Sequence, residues 1–174
     1  MTGRTPMKDF GIVLVAVAAW LHGASGLAAE LTPQQSLEAR KAIVAWLECK
    51  ECTDGELDRL LNYGEVVVPT LGAVLERGPS PASLENYRLF LERTYQERAG
   101  HLHDAGEPPL ELSEAEFVEA YLENYRSLYA VRSAQALAAF GGAEARKFLE
   151  AAAKRRMRED VDVIVQEAAR KVAK

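Results

Sequence analysis

Cys49 and Cys52 are the two residues of this chain whose type and spacing could do chemistry. They form a C-x2-C pair in the segment WLECKECTDGEL, and the chain contains no other cysteine. In an exported protein such a pair favours a disulfide. A thioredoxin-like dithiol sits at the start of a helix after a strand, where the helix dipole lowers the thiol pKa, and no strand is predicted before Cys49. We therefore expect a structural disulfide.

A zinc site is the second chemistry open to these cysteines. His101 and His103 lie close together in the segment GHLHDAGEPPLEL, and two cysteines with two histidines can hold zinc tetrahedrally. The two pairs are about 50 residues apart in the sequence, and oxidation would remove the thiolates. We therefore expect no metal and no cofactor. A redox- or zinc-responsive role of Cys49 and Cys52 is retained as the alternative function.

Two further groups of side chains are better explained by structure than by chemistry. Tyr121, Tyr125 and Tyr129 follow one another at four-residue intervals, so they share one face of a predicted helix, where core packing is favoured over a ligand groove. Four basic residues between positions 154 and 158 suit a solvated surface near a helix end. The chain has no Gly-rich phosphate loop and no nucleophile elbow, so we expect no catalytic residues and no enzyme activity.

The composition indicates a globular helical protein. The chain has 174 residues, of which 48% are hydrophobic and 27% are charged, and these values exclude wholesale disorder and a disulfide-dense miniprotein. Only 7 prolines and 12 glycines interrupt a chain rich in Ala, Leu, Glu and Arg, which favours helix over strand. A net charge of −5 argues against a general nucleic-acid binder.

The N-terminal segment has the pattern of a secretory signal peptide. Arg4 and Lys8 precede an apolar run over residues 10–21, and small residues follow. The run of 12 residues is shorter than the ~20 that a spanning helix needs. We expect residues 1–28 to be removed by cleavage after Ala28 or Ala29, leaving an exported protein, periplasmic or secreted, with no membrane attachment.

Residues 29–174 are expected to form one domain of consecutive helices. Thr32 followed by Pro33 predicts the start of the first helix, and Ser113 with Glu116 forms a capping box. Residues 100–112 contain two glycines and two prolines without periodicity, so they are predicted to form the one substantial loop. Short connections favour antiparallel neighbours. The predicted helices are approximately 33–51, 54–63, 66–77, 81–99, 114–140, 143–156 and 159–172.

Two internal similarities indicate a repeat. The pentapeptide LENYR occurs at residues 84–88 and again at 122–126. The segment LLNYGEVVVPTL, residues 60–71, aligns with LAAFGGAEARKF, residues 137–148, and the alignment retains an apolar helix end, a glycine turn and an apolar start of the next helix. The two copies of LENYR are 38 residues apart, which is close to the ~40-residue period of two-helix solenoid repeats. The two aligned segments are 77 residues apart, which is about twice that period.

The chain resembles the HEAT family of helical repeats in three segments. Residues 131–152 are similar to one unit, residues 54–78 to a second unit with a proline early in its second helix, and residues 160–172 to a first helix without its partner. The resemblance covers about half of the exported part and implies an all-α fold of antiparallel helical pairs stacked as a short HEAT-like α-solenoid. It also implies a non-enzymatic module for protein–protein interaction or scaffolding, whose partner is a protein or peptide.

Overall fold

The computed structural model describes residues 31–49, 52 and 54–173, and every regular element in these ranges is helical. The all-α prediction is therefore confirmed for this part of the chain. The predicted signal peptide, residues 1–28, lies outside the described residues. A short 3₁₀ helix, Gly64–Val67, leads directly into the third α-helix. The α-helices of the described ranges are α1 (Pro33–Glu48), α2 (Asp54–Leu61), α3 (Val68–Arg77), α4 (Pro81–Ala105), α5 (Glu114–Phe140), α6 (Gly142–Ala153) and α7 (Glu159–Val172).

Local capping interactions begin the helices where the sequence predicts them. The Thr32 side chain accepts a hydrogen bond from the backbone N–H of Gln35 at 3.2 Å and opens α1. Ser113 and Glu116 form the predicted capping box of α5, in which Glu116 accepts from the Ser113 backbone N–H at 2.9 Å. The hydrogen bond from the Ser113 hydroxyl, together with that from its backbone N–H, lowers the pKa of Glu116. Both caps satisfy backbone donors that a helix start leaves without an internal partner.

The loop predicted at residues 100–112 is shorter in the structure. Helix α4 continues to Ala105, so the connection to α5 is confined to residues 106–113. Gly100 remains helical, because a glycine inside a helix costs only ~1 kcal/mol and does not end it. The helix stops at Gly106, which adopts a left-handed φ of 69° and donates its N–H to the carbonyls of the last turn. Helix α4 is thus longer than predicted, whereas α1 is shorter, since it ends at Glu48 rather than near Glu51.

Helix α5 is the centre of the fold. It contacts each of the other six α-helices, whereas the extensive contacts of α4 are all with α5. The main core joins α1, α2, α3, α6 and α7 to the C-terminal half of α5. Its fully buried leucines are Leu60, Leu71, Leu137 and Leu149.

A second, smaller core lies at the other end of α5. It consists of Leu91 from α4 with Phe117, Val118 and Leu122 from α5, and it is separate from the main core. Leu91 is the only buried residue in the 25 residues of α4. We call α4 together with residues 106–126 the arm, because this helical hairpin is held together mainly by its own contacts.

The helical spacing of Leu37, Ile43, Val44 and Leu47 predicts that these residues form the buried face of α1. Ile43 and Leu47 are buried and Val44 is half-buried, but Leu37 is 40% exposed. Ala39 and Trp46 are buried with them. Helix α1 therefore packs through its C-terminal half, which directs the end of the helix and the cysteine pair toward α5.

Candidate functional site

The cysteine pair lies at the end of α1, as the sequence predicts. The sulfur atoms of Cys49 and Cys52 are within disulfide-bonding distance, and their Cα atoms are 5.3 Å apart. Cys49 leaves the helix in an extended conformation with a ψ of 136°. Cys49 is therefore already outside the helix, and the pair does not lie within its last turn. Cys49 is half-buried against the main core, whereas Cys52 is exposed.

The cysteines and histidines are not assembled into a common site. His101 and His103 are exposed in the last turns of α4, inside a helix rather than in the predicted loop. Among the described residues, no three His, Cys, Asp or Glu side chains come close enough together to hold a metal ion. The four-ligand zinc site considered from the sequence is therefore not formed by the described residues.

We expect a modest loss of stability when the cysteine pair is removed. A loop this short restricts the unfolded chain very little, so the double substitution Cys49→Ser and Cys52→Ser should lower the free energy of unfolding by only ~1–2 kcal/mol. The melting temperature should fall by several degrees while the helical circular dichroism is retained. Unchanged stability together with the loss of a partner or an activity would instead show that the pair is functional.

Arg132 holds the last turn of α1 against α5. Its guanidinium donates to the backbone carbonyl of Leu47 at 2.6 Å and to that of Cys49. In return, the indole N–H of Trp46 donates to the backbone carbonyl of Arg132 at 2.9 Å. The carbonyls at the end of a helix have no internal donor and carry partial negative charge, so a cation is favoured there. Arg132 is only 9% exposed, and burial lowers its pKa while the nearby Glu48 opposes that shift.

Two of the three tyrosines predicted to share one helix face also connect α5 to α1. Tyr129 and Tyr125 donate to Oε1 of Glu48 at 2.6 and 2.8 Å, and their own hydroxyl oxygens are 3.0 Å apart. Burial raises the pKa of both phenols, so the hydroxyls stay protonated and act as donors. The core-packing interpretation thus holds for Tyr129, which is buried, and partly for Tyr125, which is half-buried.

We call Trp46, Glu48, Cys49, Tyr125, Tyr129 and Arg132 the clasp. Its polar groups are engaged with one another or with backbone carbonyls, so their chemistry in this arrangement is to fasten α1 to α5. Sequence reasoning missed Arg132 and Glu48, because they come together across more than 80 residues of chain. The available signal was an arginine inside the small and apolar stretch VRSAQALAAF.

Tyr121, the third of these tyrosines, lies on the arm. Tyr121 is 42% exposed and its ring is 4.6 Å from that of Phe117, so it is not part of a buried core. The two tyrosines of the LENYR repeats contact each other: Tyr87 of α4 stacks on Tyr125 of α5 with ring centroids 4.4 Å apart. Leu89 and Phe90 of α4 are each 50% exposed. The arm therefore combines an internal aromatic contact with an apolar surface that the fold does not cover.

The basic cluster is a solvated surface, as the sequence predicts, since Lys154, Arg155, Arg156 and Arg158 are all exposed. It also has a structural role that its composition did not reveal. Arg155 donates to the carbonyls of Leu75 and Glu76 at 3.1 and 2.9 Å, at the C-terminal end of α3. Arg155 therefore caps α3 from the surface, whereas Arg132 caps α1 from a buried position. Arg158 forms an ion pair with Asp160 at 2.7 Å.

No helix in the described part of the chain combines sufficient length with sufficient apolar character to cross a bilayer. No family model, no curated protein and no solved structure matches the chain.

Proposed function

We propose that this protein is an exported, non-enzymatic, HEAT-like module that binds another protein through its arm. The arm carries the proposal, because α4 places one buried residue on α5 and leaves Leu89 and Phe90 half exposed. A 25-residue helix that buries so little presents more surface than folding requires. Exposed apolar side chains grouped on one element are typical of interaction surfaces.

The two aligned segments support the repeat. Leu60 and Leu137 are both fully buried, and Val68 and Ala145 are both buried at the start of the following helix. The aligned glycines between them, Gly64 and Gly141, have φ angles of 64° and 65°. These equivalent positions therefore share burial and a positive φ at the glycine, whereas the last aligned pair differs, since Leu71 is fully buried and Phe148 is half-buried.

The packing order of the helices supports a stack. Gly72 faces Phe148, Gly142 lies beside Glu65, and Arg155 reaches Leu75, so α3 and α6 run in the same direction. Helices α3 and α7 each pack on both α5 and α6, but not extensively on one another. In a HEAT-like stack, equivalent helices of successive units are parallel and each unit contacts only its neighbours.

The arm can be tested by photo-crosslinking in the cells that make the protein. A photoreactive residue at Leu89 should give a discrete crosslinked species, because this side chain lies on the proposed binding surface. The same residue at Val163 of α7 is a matched control, since Val163 is also an exposed aliphatic side chain but lies outside the arm. Equal crosslinking at both positions, or none at Leu89, would contradict the proposal.

A redox-responsive protein is the second candidate. The observation that favours it is the exposure of Cys52, because an external dithiol could reach that sulfur. Thiol titration of the native protein combined with metal analysis distinguishes the two functions. A readily reducible pair or one bound zinc would favour the second candidate, whereas no free thiol and no zinc would leave the interaction module.

A further inference from the structure

A groove of about 510 Å³ runs along the arm between α4 and α5. Ala115 and Val118 contribute its apolar lining, and the polar lining comes from Arg88, Glu92, Glu114 and Glu119. Arg88 lies 3.6 Å from Glu85, and Glu119 forms an ion pair with Arg126 at 2.9 Å. Glu92 and Glu114 are half-buried, and neither carboxylate has a side-chain partner among the described residues. The groove therefore combines apolar contact with one arginine, Arg88, and with two carboxylates that form no ion pair among the described residues.

The arm is acidic. Residues 81–126 contain ten Asp or Glu and four Lys or Arg, a net charge of −6, whereas the whole chain has a net charge of −5. The imbalance is concentrated in residues 99–125, which contain seven Asp or Glu and no Lys or Arg. Glu114 is explained in part by the helix dipole, which favours an acidic residue in the first turn of α5. That explanation does not extend to Glu92, which lies in the middle of α4.

We infer that the groove binds a basic helical segment of the partner protein, in which lysine or arginine is interspersed with aliphatic residues at helical spacing. This inference rests on the proposed function and names the partner's chemistry. Lysine and arginine have apolar stems that can lie on Ala115 and Val118 while their charged ends reach Glu92 and Glu114.

The test uses a fluorescein-labelled peptide of lysine and leucine at helical spacing, with a matched peptide that has glutamate in place of lysine. Fluorescence anisotropy with the protein should show binding of the lysine peptide only, and the affinity should fall as salt is raised. The double variant E92Q/E114Q should weaken binding by about tenfold, which is a plausible loss for two partly buried ionic contacts.

The variant E144Q/E150Q is the matched control, because it removes the same charge from exposed positions of α6. An equal loss in both variants, or no loss in E92Q/E114Q, would overturn the inference. Ala115→Arg provides a second variant that places a cation in the groove at an exposed position, so it should abolish binding without disturbing the arm core. Retained helical circular dichroism and melting temperature would show that each variant is folded.

The inference and the proposed function can fail separately. Specific crosslinking at Leu89 without discrimination by the groove variants would overturn the basic partner but retain the interaction module. Groove-dependent peptide binding without crosslinking at Leu89 would support the ligand chemistry of the groove and contradict the proposed function.

Discussion

We expect replacement of Arg132 by methionine to lower the free energy of unfolding by about 3 kcal/mol, because it removes one buried cation that holds two helix-end carbonyls. Methionine retains most of the apolar stem, so the lost hydrogen bonds account for most of the effect. For a domain of this size the melting temperature should fall by about 10 °C. Chemical denaturation followed by the fluorescence of Trp46, whose indole bonds to Arg132, measures the change directly.

Arg126→Met is the matched control for this prediction. Arg126 lies on the same helix but is exposed, and its ion pair with Glu119 is a surface contact. Exposed pairs contribute between zero and about 1 kcal/mol, so this variant should be close to the unmodified protein in stability. Equal stability of the Arg132→Met variant would show that water replaces the guanidinium at the end of α1.

The second large effect is expected at Gly72, which is buried in α3. A Cβ atom at this position would overlap the ring of Phe148 on α6. Alanine has a better helix propensity than glycine by ~1 kcal/mol, but overpacking a core costs ~1–3 kcal/mol. Because the displaced atoms belong to a ring between two packed helices, we expect Gly72→Ala to lower the free energy of unfolding by about 2 kcal/mol.

A double-mutant cycle tests whether Phe148 is the cause. Phe148→Leu should relieve the overlap, so the combined variant Gly72→Ala with Phe148→Leu should be more stable than the sum of the single effects predicts. Gly100→Ala in α4 is the control, because a Cβ at Gly100 meets no atom within 4 Å. That variant should be stabilised by about 0.5–1 kcal/mol. Destabilisation at both glycines would show that the contact with Phe148 is not the reason.

The candidate site was only partly predictable. The cysteine pair and the three tyrosines at four-residue intervals could be recognised in the sequence because their spacing is local. Glu48 had no such signal, since an acidic residue near a helix end is ordinarily a solvated one. Glu48 is indeed exposed, but two tyrosines from α5 donate to its carboxylate. The three tyrosines have different environments in the structure. Tyr129 is buried in the main core, whereas Tyr121 is exposed on the arm, because α5 extends beyond the helices that cover its C-terminal half.

The sequence by itself determined the helical class and most helix ends. Thr32 with Pro33, and Ser113 with Glu116, act within one turn of helix, so their effect does not depend on the rest of the chain. Only the tertiary structure decided that Arg132 caps α1. It also decided that position 72 leaves no space for a Cβ atom, because the ring of Phe148 packs against it. These contacts depend on how separate helices are placed, and the periodicity of one helix specifies which face is apolar but not which helix will cover it. The exposed groove of the arm follows for the same reason, since α4 has the apolar residues of a packed helix but, among the described helices, packs extensively only against α5.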